Sequence, residues 1–167
     1  MRTASLLFAL AAASAPSACS LQPLYSGGAS GAAGQVLGSV DVAPIPGRAG
    51  WLVSNELRDR LSAGQAQAGT ARYRLDVRLD DELEGLGLLG DDTIGRERRT
   101  LRARYQLVDT ASGTIVLDAT AGSDVGIDVV SSEYAVIAAE QTALERLAVE
   151  VADRVVTRLA LLGREGQ

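Results

Sequence analysis

Tyr73-Arg74-Leu75-Asp76-Val77-Arg78-Leu79-Asp80 decides the fold, because apolar and charged side chains alternate through it without a break. A period of two is the mark of a strand with one buried and one wet face, and the pattern holds from Ala71 to Leu83. A Gly-rich connection, Glu84 to Gly95, leads into a second alternating run. There Leu101, Ala103, Tyr105 and Leu107 face one side, and Arg102, Arg104 and Gln106 the other. Asp109 to Gly113 supplies turn residues, and Ile115, Leu117, Ala119 and Ala121 carry a further strand. These three strands read as an antiparallel meander.

Outward from the meander the period changes. Upstream, Val36 to Ile45 reads as a short first strand closed by Pro44 and Pro46. Gly50 to Gly64 follows as a helix with Val53, Leu57 and Leu61 on one face. Downstream, after an irregular stretch ending at Ser131 and Ser132, the chain has its longest helical pattern, Glu133 to Leu162. Its apolar stripe is Ile137, Leu144, Ala148, Val151, Val155 and Leu159 or Leu162, and its length would be roughly 45 Å. A sheet with one apolar face needs one covering layer, and two amphipathic helices supply it. The expected fold is an α/β (α+β) two-layer sandwich: about four strands, mixed or antiparallel, covered on one face by two helices in the order β-α-β-β-β-α.

The amino terminus has the order of an export signal: a basic start at Arg2, an apolar run from Leu6 to Ala13, then small residues. Ser17-Ala18-Cys19 resembles a bacterial lipobox, although Pro16 stands where Leu is usual. The expected organisation is a lipoprotein signal peptide over 1–18, a lipidated flexible tether over 19–35 and one domain over 36–167. Cys19 would be the acylated first residue of the mature chain. The other reading is an ordinary signal peptide with Cys19 a bystander. As the only cysteine in the chain, Cys19 leaves no internal disulfide to form. A diacylglycerol and an N-acyl chain on Cys19 would hold the protein on a membrane surface.

All 16 basic residues are arginine, there is no histidine, and the net charge is −5. That balance argues against nucleic acid as a partner. Without histidine, and with its one thiol at the lipidation site, the chain lacks Ser-His-Asp and Cys-His nucleophilic sets. Only carboxylate chemistry remains open, so no catalytic residue, cofactor or metal is assigned. Gly85-Leu86-Gly87-Leu88-Leu89-Gly90 matches G-x-G-x-x-G to the letter. A dinucleotide site needs that turn to open a helix facing pyrophosphate; here Asp91 and Asp92 come next and the following run has strand periodicity. The clusters Asp80-Asp81-Glu82 with Glu84, and Asp124 with Asp128, lack a calcium-loop spacing.

More informative is the polar side of the meander, where Arg72, Arg74, Arg78, Arg98, Arg102 and Arg104 can line up on adjacent strands. Arginine forks bind carboxylate and phosphate, so this face could hold an anionic glycolipid or the acidic wall of a partner. It could equally be a wet surface of cross-strand Arg to Asp pairs. Leu86, Leu88 and Leu89 form an apolar loop that is a candidate partner contact, and Val125, Ile127, Val129 and Val130 make a second apolar patch.

A lipobox followed at once by Leu21-Gln22-Pro23-Leu24-Tyr25 begins a set of features that share one order. The others are Tyr73-Arg74-Leu75-Asp76-Val77, then Arg102-Ala103-Arg104-Tyr105-Gln106-Leu107 with Asp109, and the helix entry Tyr134-Ala135. Together with the length and order of elements, they resemble the LptE family of lipopolysaccharide-assembly lipoproteins. The resemblance implies a non-enzymatic outer-membrane subunit that plugs the LptD-type β-barrel, assists its assembly and helps deliver lipopolysaccharide to the outer leaflet. It also implies lipopolysaccharide binding through basic residues, though no family residue maps onto one arginine here. The alternative is an auxiliary lipoprotein of an ABC-type lipid transporter. A carboxylate-based cell-wall hydrolase rests on the acidic clusters alone.

Overall fold

The structure is a computed structural model, and it describes residues 28–62, 71–88 and 94–165. A 3₁₀ turn at Gly28–Ser30 leads into α1 (Ala32–Leu37), β1 (Val40–Val42), α2 (Gly47–Ser62), β2 (Tyr73–Leu88), β3 (Ile94–Asp109), β4 (Ile115–Asp128) and α3 (Glu133–Glu165). The strands form one sheet in the order β1-β2-β3-β4, with β1 parallel to β2 and the rest antiparallel. The expected meander, the mixed four-stranded sheet and its single helical layer are therefore present.

Alternation in the sequence becomes two faces in space. Leu75, Leu101, Ala103, Tyr105 and Leu107 are buried beneath the helices, together with Val53, Leu57 and Leu61 of α2. From α3 the core takes Leu144, Leu147, Ala148, Val151, Val155 and Leu159. Gly50 lets the start of α2 sit close to the segment that follows β1: a Cβ there would lie 2.5 Å from the Ile45 carbonyl oxygen.

Several boundaries differ from the sequence reading. Val36 is not in a strand, because Ala32–Leu37 is helical and the first strand is only Val40–Val42. Ala33, Gly34 and Leu37 are buried, so part of the segment read as tether, from Ala32 to Gln35, is packed. Six residues cannot hold a helix by propensity alone; α1 is held by docking, with Gly163 of α3 so close that a Cβ there would lie 2.9 Å from the Ala32 carbonyl oxygen. The helix read as Gly50 to Gly64 begins at Gly47, and Gly64 lies outside the described residues, as do the signal peptide and Cys19.

The largest difference is at the hairpin. In place of a loop from Glu84 to Gly95, β2 runs to Leu88 and β3 starts at Ile94, with pairing unbroken from Tyr73↔Asp109 to Leu86↔Arg96. Likewise β4 continues past Ala121 to Asp128. Of its glycines, which read as irregular, Gly122 makes room for an arginine: a Cβ there would lie 3.1 Å from Arg102 Cγ, whereas one on Gly126 would meet Arg96 Nε at an ordinary 3.4 Å. Helix α3 has 33 residues, roughly 50 Å at 1.5 Å per residue. Its first turns overhang the core, and Ile137, expected in the apolar stripe, is 43% exposed.

Candidate functional site

The face of the sheet away from the helices is the candidate site. Strand register puts Arg74, Asp76, Arg78, Asp80, Glu82 and Glu84 of β2 across from Val108, Gln106, Arg104, Arg102, Thr100 and Arg98 of β3. Beyond β3, β4 contributes Asp118, Asp124 and Asp128 to the same face. The result is a basic central strand flanked on both sides by carboxylates.

Most of the candidate arginines are paired within this lattice. Arg72 reaches Asp109 at 3.4 Å and stacks its guanidinium 4.9 Å from the Tyr73 ring centre. Arg74 forks onto Asp76, with Nε to Oδ1 and Nη2 to Oδ2 both 2.9 Å, and this partner holds its guanidinium pKa above the ordinary value. Arg98 lies 3.8 Å from Asp124. Arg104 donates to both carboxylate oxygens of Asp118, at 3.4 and 3.1 Å, and Gln106 donates to the same group at 2.8 Å. The Asp118 pKa is lowered by the hydrogen bond from Arg104, and that from Gln106 adds to it.

Arg78 and Arg102 differ from the rest. Neither has an ion-pair or hydrogen-bond partner among the described residues, and both are exposed. Arg78 is directly across from Arg104, so two like charges face each other. Beside them is a shallow hollow of about 460 Å³ lined by Ala43, Pro44, Asp76, Val77, Arg78, Arg104 and Gln106. An anion seated there would relieve the Arg78 to Arg104 repulsion and meet guanidinium donors in a fork geometry.

The sequence reading missed Arg96, which shares the parity of Arg98, Arg102 and Arg104, belongs to the same face and pairs with Asp128 at 3.4 Å. Counting by twos back from Arg98 would have found it. Arg99 has the opposite parity and points under the helices. It grips Asp81 with Nε at 2.8 Å and Nη2 at 2.7 Å, and donates from Nη1 to the Glu140 carbonyl of α3 at 2.9 Å. Its pKa is raised by the Asp81 hydrogen bond, against the lowering effect of burial.

The other candidates fall out differently. Asp80-Asp81-Glu82 is split across the sheet, Asp81 going to Arg99 beneath the helices while Asp80 and Glu82 stay on the open face. Asp124 and Asp128 are taken by Arg98 and Arg96. Among the described residues no three potential metal ligands come together. Gly85 and Gly87 lie inside β2, so the glycine motif opens no helix. Leu86 and Leu88 belong to β2 instead of a loop; Leu86 is partly buried, and Leu89 lies outside the described residues. In the second apolar patch Ile127 is buried, Val125 packs against the core and Val130 is exposed.

Fold and face define the class: a two-layer α+β domain that presents an arginine-rich, carboxylate-flanked sheet, with no described helix long and apolar enough to cross a membrane. The chain belongs to the LptE family, described as lipopolysaccharide-assembly, whose model matches residues 37–159. No curated protein matches it in sequence. Among solved structures, the fold is shared with a Caulobacter crescentus protein at 24% identity and TM-score 0.63, covering 79% of this chain and 96% of that one. A minor lipoprotein from Acinetobacter baumannii matches at 14% identity and TM-score 0.60, covering 73% and 90%. The rare lipoprotein B from Shewanella oneidensis matches at 12% and 0.60, covering 75% and 95%.

Proposed function

We propose that this chain is an outer-membrane lipoprotein, anchored through acylated Cys19, that works without catalysis as the plug and assembly partner of an LptD-type β-barrel and helps pass lipopolysaccharide to the outer leaflet. Membership of the lipopolysaccharide-assembly family over residues 37–159 carries this reading. The open sheet face is its lipopolysaccharide contact. Within that face Arg78 and Arg102 are the residues proposed to meet the lipid phosphates, since the other candidates already hold a carboxylate. Arg104 joins them by exchanging Asp118 for the ligand. Leu86, Leu88 and Leu89 are proposed as apolar contacts to the barrel.

Affinity purification of the tagged, full-length lipoprotein from outer membranes in mild detergent tests the partner. A stoichiometric LptD-type barrel is the expected companion; an ABC-type inner-membrane ATPase in its place would overturn the plug reading and favour the transporter alternative. For the ligand, Arg78→Ala with Arg102→Ala is expected to weaken lipopolysaccharide binding by about tenfold, from the loss of two charge-assisted contacts, with the thermal midpoint unchanged. Undiminished binding by this double variant would leave the face an ordinary wet surface.

A further inference from the structure

The two edges of the sheet are treated differently, and the difference points to a partner. On the β4 side α3 reaches over the edge: Arg154 donates to the Gly122 carbonyl and to the Ser123 hydroxyl, which in turn bonds Glu150. On the other side β1 covers very little of β2. It pairs with Tyr73, Arg74 and Leu75, and β2 then runs on to Leu88 with no strand beside it among the described residues.

The direction of the free backbone groups follows from the bonds that are made. Tyr73 N–H donates to Ser39, and the Leu75 carbonyl accepts from Ala43, so the odd-numbered residues of β2 turn their backbone toward the β1 side. Even-numbered residues turn toward β3. Val77, Leu79, Asp81, Leu83 and Gly85 therefore turn their backbone donors and acceptors toward that edge, which is closed in at the buried Val77 and exposed from Asp81 to Gly85. Register with β3 has no bulge along this stretch, and it contains no proline. Bulges, proline and a covering element are the usual ways to blunt such an edge; none is present along it among the described residues.

What guards the edge is charge. Asp80, Glu82 and Glu84 stand on its open-face side, exposed and without an ion-pair partner among the described residues. Two copies pairing edge to edge would set these carboxylates against one another, which disfavours self-association. A strand with basic residues at alternate positions would meet them favourably. Its intervening residues would fall on the helix side, beside Leu79 and the 45% exposed Leu83.

We propose that the β2 edge from Val77 to Gly85 is a docking site for an extended segment of a partner protein whose side chains alternate basic and apolar, added to the sheet as a further strand antiparallel or parallel to β2. This stands apart from the lipopolysaccharide reading, which concerns the side chains of Arg78, Arg102 and Arg104 on the face of the sheet and not the backbone of its β2 edge.

The test uses the full chain and a labelled synthetic peptide, Thr-Arg-Val-Arg-Val-Arg-Val-Arg-Thr, with the same peptide carrying Glu for Arg as control. Residue-resolved amide exchange by NMR is expected to slow at Val77, Leu79, Asp81 and Leu83 when the arginine peptide binds. Arg78, Asp80 and Glu82, already bonded to β3, should not change. Glu82→Gln with Glu84→Gln should weaken binding by about tenfold. Leu83→Pro, which removes an outward N–H without touching the ladder to β3, should abolish the protection. Protection that is uniform or missing, equal binding of the control peptide, or unchanged affinity in the Gln variant would each overturn the proposal. So would concentration-dependent protection without peptide, which would assign the edge to a second copy.

Discussion

The two ends of the sheet share strands but not packing. At the end where α1, α2 and the last turns of α3 gather, Leu57, Leu75, Leu107 and Leu159 are fully buried. At the hairpin end the same β2 and β3 continue, and among the described residues only the first turns of α3 lie above them. Leu83 and Ile137 are 45% and 43% exposed there, Tyr134 is 87% exposed, and the buried Glu97 Oε2 has no hydrogen-bond partner among the described residues. One end holds the fold, and the other is far less covered among the described residues. A protein that must stay folded while offering an unroofed surface can separate the two tasks along one sheet.

Breaking the comparison should be easiest at the packed end. Leu159→Ala removes a fully buried side chain between α3 and the sheet, and should cost about 2–5 kcal/mol. Leu83→Ala, the same chemistry at the open end, should fall within about 0.5 kcal/mol of the parent, as surface substitutions do. Urea unfolding followed by circular dichroism measures both. Equal losses would mean that the hairpin end is as tightly packed as the core, and the division into two tasks would fail.

Arg99 sharpens the comparison, since it ties the overhanging part of α3 to the open end. With its side chain only 16% exposed, it joins β3 to Asp81 on β2 and to the Glu140 carbonyl. Hydrogen bonds to charged groups contribute about 1.5–3 kcal/mol where they are shielded from water. Arg99→Ala should therefore cost about 1–3 kcal/mol, the buried face of Asp81 being left unpaired. Its distinctive sign is local: amide exchange should quicken in Glu133 to Glu140 and stay slow around Val151 to Leu159. Uniform acceleration along α3 would make Arg99 a global strut instead.

How much of this the sequence disclosed depended on where packing obeyed a simple period. Leu75, Val77 and Tyr105 alternate with arginines, and Val53, Leu57 and Leu61 recur by fours, so the meander and α2 could be read directly. Glycine hid the rest. Gly85 and Gly87 read as loop because glycine weakens a strand, yet the pairing continues through them, with Gly85 across from Glu97 and Leu88 across from Ile94. Gly122 is there to admit Arg102, a three-dimensional reason with no local signature. The Ala and Gly run of α1 read as tether because its helix depends on contact with Gly163, far away in the chain. For the site, alternation alone placed the arginines on one face. Which of them remained unpaired depended on the register that brings Asp118 to Arg104 and leaves Arg78 facing another arginine.

The smallest expected effect concerns that lattice and its response to acid. The Asp118 pKa is lowered in the folded protein, first by the hydrogen bond from Arg104 and then by that from Gln106. A carboxylate with a folded pKa below its unfolded one favours folding at pH above the unfolded value, near 4, and loses that contribution as pH falls through the folded value. Asp109 is lowered as well, chiefly by the Ser112 backbone N–H, so its contribution fades in the same direction. Asp118→Asn should leave the thermal midpoint almost unchanged at neutral pH, because the pair is exposed to solvent. Between about pH 5 and pH 2 its midpoint should fall less steeply than that of the parent, and the difference should shrink in high salt. Parallel curves would mean that Arg104 and Asp118 do not hold each other in solution. Arg104 would then be as free as Arg78, and the open face would carry one more arginine ready for an anion than the ion pairs allow.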